Sequence, residues 1–272
     1  MAFSKRWSAS IFLFFLAATA LAQPASAPPP VDIDRIREEL GIGRYNAPSI
    51  EQVFQRLSVL EPIPFDKVWR PLPEHLPQDR PRMALLAGTL IADGFLVVKE
   101  ERASKIETLG HGLLRLAKGL AIGERLNKRG RHVMEMAESE RWHDIRRELV
   151  KTQAEAEAAL LALKDDDLVH LVAMGGWLRG LEITSATVAD NYSPERATHL
   201  LQPELSDTFL DRIHDFRPRL RSTNIVQVIE KDLKAIRDIV PDKGHERPYT
   251  LAEVKKIHEL TRDADRTIST SD

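Results

Sequence analysis

The chain has 272 residues, 29% of them charged, no cysteine and a formal net charge of −2. Without cysteine there are no disulfides, thiolate metal sites or cysteine nucleophile, and the near-neutral balance argues against a nucleic-acid surface. At this length one large or two small domains can be stabilised by an apolar core alone.

Residues 1–22 carry the three parts of a secretory signal. Lys5 and Arg6 precede an apolar run from Ile11 to Ala18, and Ala20-Leu21-Ala22 supplies a small-x-small cleavage site ahead of Gln23. The run is shorter than the roughly 20 residues a membrane span needs, so cleavage is expected. The formal −2 then loses the two positive charges of Lys5 and Arg6 and becomes −4. The mature chain is expected free in the periplasm or medium, with no further stretch of membrane-span length.

Residues 23–31 (QPASAPPPV) read as a proline-rich tether. Residues 32–81 should hold short helices and a wrapping segment. One helix closes at Gly41, and a second runs from Pro48-Ser49 to about Leu60. Beyond it Pro62, Pro64, Pro71, Pro73, Pro77 and Pro81 exclude a long helix or a central strand. Phe65 and Trp69 are the side chains expected to pin this segment.

Residues 82–267 form the expected main helical bundle, followed by a tail at 268–272. An apolar helix begins near Arg82. Ser104 is a candidate cap for the next one, where Ile106, Leu109, Leu113, Leu116 and Leu120 recur at three and four, and Gly123 is the expected stop. Helix continues from Glu124 to Lys164 with a break near Ser139, and Asp165, Asp166 and Asp167 offer caps for a helix from Asp167 to Tyr192. Ser193-Pro194 opens a helix to Leu201; others should run from about Pro203 to Phe216 and from Asn224 to Val240. A Pro241–Gly244 turn follows, and Thr250 with Glu253 makes a capping box for a last helix to about Arg266. No stretch alternates with period two. The fold class is therefore all-α, a multi-helix bundle of roughly eight to ten helices.

A shift of 88 residues lays Ala87–Ala92 over Gly175–Gly180 and Glu107, His111 and Leu113 over Glu195, His199 and Leu201. A diverged duplication of a helix-pair unit would account for it, as would chance matching of small and apolar helices. Gly175, Gly176 and Gly180 sit in the middle of an apolar helix, where each costs about 1 kcal/mol relative to alanine. Gly176 and Gly180 on one helix, and Gly88 and Ala92 on another, form flat strips that allow close helix packing.

Charged residues inside these apolar helices are the strongest candidates for a polar core cluster: Asp93 on the first, Arg179 and Glu182 on the second. Buried charges need partners, so a structural ion cluster is expected over a catalytic pair. Carboxylate-x-x-His spacing, which can place two ligands on one helix face, occurs at Glu140/His143, Asp167/His170, Asp211/His214 and Asp242/His245. Glu140, His143, Asp211 and His214 are weak metal candidates, since acid-rich helix ends produce this spacing by chance. His258-Glu259-x-x-Arg262 departs from the zinc-protease pattern at its last position. Basic clusters at Lys128–Arg131 and Arg217–Arg221 read as solvated loops, and Met134, Met136 and Trp142 as core filling. No cofactor is expected.

The sequence thus reads as an exported helical protein of unknown role, a non-enzymatic binding or structural module whose partner is a protein or a small apolar ligand. The alternatives are a carrier holding a small hydrophobic ligand between helices and a metal-dependent bundle enzyme.

Overall fold

The computed structural model describes residues 50–200, 203, 205–240 and 247–270, and among them every regular element is a helix. The export signal, the tether, the helix ending at Gly41, the Pro241–Gly244 turn and the last two residues lie outside the described residues. α1 (Ile50–Val59) and the single turn α2 (Phe65–Val68) lead into an array of five long helices. These are α3 (Arg80–Lys99), α4 (Ala103–Gly119), α5 (Gly123–Glu138), α6 (Trp142–Ala162) and α7 (Asp166–Asp190). The chain continues through α8 (Pro194–Ala197), α9 (Leu205–Asp215), α10 (Pro218–Arg221), α11 (Asn224–Arg237) and α12 (Leu251–Ser269).

The four junctions of the array share one device. Glu101, Ala121, Glu140 and Lys164 each adopt positive φ between consecutive helices. The following residue then donates its N–H five residues back: Arg102 to Val97 O, Ile122 to Ala117 O, Arg141 to Met136 O and Asp165 to Leu160 O, all at 2.9–3.1 Å. This is the Schellman closure, which normally recruits glycine; each side chain held left-handed costs roughly 1–2 kcal/mol. Gly123 therefore opens α5 instead of ending α4, and Ser104 lies inside α4, which starts from Arg102 without a side-chain cap. The break expected near Ser139 falls where the Glu140 junction lies.

α3 and α7 form the centre. Both are buried nearly all round, as core helices are. They cross where glycine removes the side chain from both. A Cβ on Gly88 would stand 2.7 Å from Gly176 N and 2.9 Å from Val172 C, and one on Gly175 would stand 2.8 Å from Leu85 C. Gly176 is less tightly placed, 3.3 Å from Gly88 O. Gly88 thus packs on Val172 and Gly176, as expected of these two helices, while the neighbouring Gly175, packed on Leu85, makes a second approach closer than that of Gly176; Gly180 and Ala92 are buried. α3 is also long and apolar enough to cross a membrane, contrary to the expectation of no such stretch after the signal, but most of it is buried inside the protein.

The shift of 88 residues does superpose Gly88 on Gly176, and the two meet. The match stops there. α4 would map onto residues 191–207, whose described residues hold the four-residue α8 and the start of α9 in place of a seventeen-residue helix.

The proline-rich segment wraps the bundle. Phe65 stacks on Trp69 at 5.6 Å, Arg102 lies over the Phe65 ring and Lys105 over the Trp69 ring. Leu72 packs against Gly112. α3 begins at Arg80, two residues earlier than expected, because the Asp79 carboxylate caps the Arg82 N–H at 2.9 Å with Pro81 in the first turn. α8 ends at Ala197, short of Leu201. α12 starts with the expected capping box and reaches Ser269, so the first two residues of the expected tail are helix. It packs on α7, α3 and α11.

Candidate functional site

The central crossing brings Asp93 of α3 against Arg179 and Glu182 of α7. Arg179 is completely buried at 0% exposure. Its Nε donates to Asp93 Oδ1 at 2.7 Å, Nη1 to Glu182 Oε2, and Nη2 to the Val68 carbonyl at 2.6 Å. The last bond ties the wrapping segment to the core. A lysine could not serve three acceptors in this fixed plane.

Two further members were not legible beforehand. Arg70, two residues beyond Val68, donates from Nη2 to both Glu182 Oε2 and Asp265 Oδ2. Asp265 of α12 is fully buried and also accepts from the Thr89 hydroxyl at 3.4 Å. A signal for Asp265 did exist: it continues the buried stripe Val254, Ile257, Thr261, Ile268 of an amphipathic helix. Arg70 had none, since a proline-rich stretch has no periodicity to break.

Three carboxylates thus face two guanidiniums. Burial pushes the Asp93 carboxyl up, against the pull of Arg179 and Arg70. Burial, and then the neighbouring Glu182, push Asp265 up to about 7 against the pull of Arg70. The neighbouring acids hold the Arg179 guanidinium protonated despite burial. With a proton on Asp265 the network is electrically neutral, the arrangement a low-dielectric interior favours. Other buried polar groups of α7 are satisfied locally: Thr184, Ser185 and Thr187 donate back to carbonyls of their own helix.

Above the network lies an open groove of about 540 Å³. Thr89, Asp93, Leu86 and Leu90 of α3 line it, with Arg262, Arg266, Ser269 and Thr270 from the α12 end and residues 70–75 of the wrapping segment. A separate apolar cavity of about 90 Å³ lies among α3 to α7, bounded by side chains such as Leu113, Leu126, Val133 and Leu160. On the α6 side of this cavity Gln153 donates to Glu157 Oε1 at 2.8 Å.

The metal candidates do not converge. Glu140 occupies a left-handed junction residue ahead of α6, so it does not share a helical face with His143, and both are exposed. Asp211 and His214 are exposed on α9. Asp167 is engaged by Arg217 at 2.6 Å, and burial lowers His170 to about 4, leaving it neutral. Among the described residues no group of three His, Asp or Glu could hold a metal ion. The basic clusters are partly paired as well, Arg129 with Glu148 and Glu155 and Arg217 with Asp167.

No protein-family model matches the chain, and no curated protein or solved structure is significantly similar to it.

Proposed function

We propose that this is an exported, non-enzymatic binding protein that takes a small ligand in the groove between the wrapping segment, α3 and α12. One observation carries the reading: the groove is lined by Arg70, Thr89 and Asp93, which belong to an ion network whose acids are already committed. Asp93 is held by Arg179, Glu182 by Arg179 and Arg70, and Asp265 by Arg70 and Thr89. A general base needs a carboxylate within reach of substrate; here the acids organise donors and leave a rigid concave surface, which suits recognition. Export rests on the signal-like first 22 residues.

The apolar cavity among α3 to α7 supports a second reading, a carrier of a small hydrophobic molecule. Native mass spectrometry with metal analysis, on protein recovered from the exporting cell, tests both. A retained organic mass lost on blocking the groove supports the first reading. A mass retained despite the block supports the carrier. Stoichiometric metal would overturn both in favour of an enzyme.

A further inference from the structure

We propose that the groove ligand is a small organic monoanion: a carboxylate received by Arg70, Arg262 and Arg266, carried on an apolar body that rests on Leu72, Leu86 and Leu90. This rests on the groove being the ligand site. Arg70 carries the argument. Its Nη2 serves Glu182 and Asp265, while Nε and Nη1 donate to no described residue on a side chain that is 31% exposed. Three of its five N–H donors are therefore left to the groove that it lines. Two buried acids hold the guanidinium in place, so little freedom is lost when an anion arrives.

The α12 wall adds to this. Arg262 and Arg266 stand one turn apart on either side of Asp265, 47% and 66% exposed. Their acidic neighbour is the exposed Asp263, at 3.9 and 3.4 Å, a pairing of the weak surface kind. Two acids also line the groove, Asp93 on its floor and Glu74 on its rim. Asp93 is neutralised by Arg179, and Glu74 sets a second negative charge on a ligand at a disadvantage. Arg70, whose charge Glu182 offsets, brings hydrogen-bond donors, while Arg262 and Arg266 bring the positive charge that suits a monoanion, and the leucines suit an aliphatic or aromatic body.

Calorimetric titration of the purified protein with hexanoate, 1-hexanol, hexylammonium and hexyl phosphate tests the proposal. It is run on the wild type, on Arg262→Gln/Arg266→Gln and on Ser269→Trp, each shown to keep its melting midpoint. Hexanoate should bind about tenfold or more tightly than hexanol, the scale of hydrogen bonds to charged groups, and its affinity should fall with added salt. The double arginine variant should lose about tenfold on hexanoate and little on hexanol. Tryptophan at the rim should abolish both. Equal binding of hexanol, tighter binding of hexyl phosphate or hexylammonium, or an unaffected double variant would overturn the monoanion while leaving the groove as a binding site. Hexanoate binding undiminished in Ser269→Trp, or no binding of any probe, would overturn the groove itself.

Discussion

Adding one methyl group at Gly175 should unseat the centre of this protein, while the same change one residue later should be nearly silent. The Gly175 Cβ would lie 2.8 Å from the Leu85 carbonyl carbon and nearer still to its oxygen. Carbon–carbon contacts are comfortable at about 3.5–4.0 Å, so α3 and α7 must part by roughly 1 Å. Backbone cannot swing aside as a side-chain tip can, so the cost belongs at the upper end of overpacking, about 3 kcal/mol. Gly88→Ala meets Val172 C at 2.9 Å and Gly176 N at 2.7 Å and should cost as much. At Gly176 the new atom is 3.3 Å from Gly88 O. A shift of a few tenths of an ångström relieves it, and the helix-propensity gain of about 1 kcal/mol offsets most of the cost. Urea unfolding of the three variants, compared at unchanged slope, measures this. Equal stability of Gly175→Ala and Gly176→Ala would refute the crossing geometry.

Further outcomes follow from the ion network and the helix caps. Arg179→Leu strands buried acids and should cost about 3–5 kcal/mol; adding Asp93→Asn should recover part of it, whereas strictly additive melting data would mean the two are uncoupled. Asp265 takes up a proton on folding between its ordinary 3.8 and about 7, so its contribution is intact at the acid end and lost as pH rises to about 7. The loss is at most roughly 4 kcal/mol. Asp265→Asn should therefore gain on the wild type between pH 5 and pH 8, and parallel stability–pH curves would count against it. Thr250→Ala removes a cap from α12 and should cost about 1 kcal/mol, visible as a lowered melting midpoint.

The sequence by itself determined which residues had to be solved for. Apolar residues at three and four dictated helices, and the Ser193 and Thr250 caps lie where their side-chain chemistry placed them. Arg179, Glu182 and Asp93 announced a buried cluster because charge inside an apolar helix has few other outcomes. These signals are local: a period, a cap, an anomaly within one turn. The junctions at Glu101, Ala121, Glu140 and Lys164 were illegible for a complementary reason. Non-glycine residues are held left-handed there, so the glycine that normally marks such a closure is missing from the sequence. Tertiary structure also decided that Gly175 meets α3 more closely than Gly176, since a rotation of about 100° about the helix axis changes which glycine faces the neighbour without altering the pattern. It alone brought in Arg70 and Asp265, which are 195 residues apart. No periodicity links a proline-rich wrap to the last helix; only the balance of charge in a closed interior does.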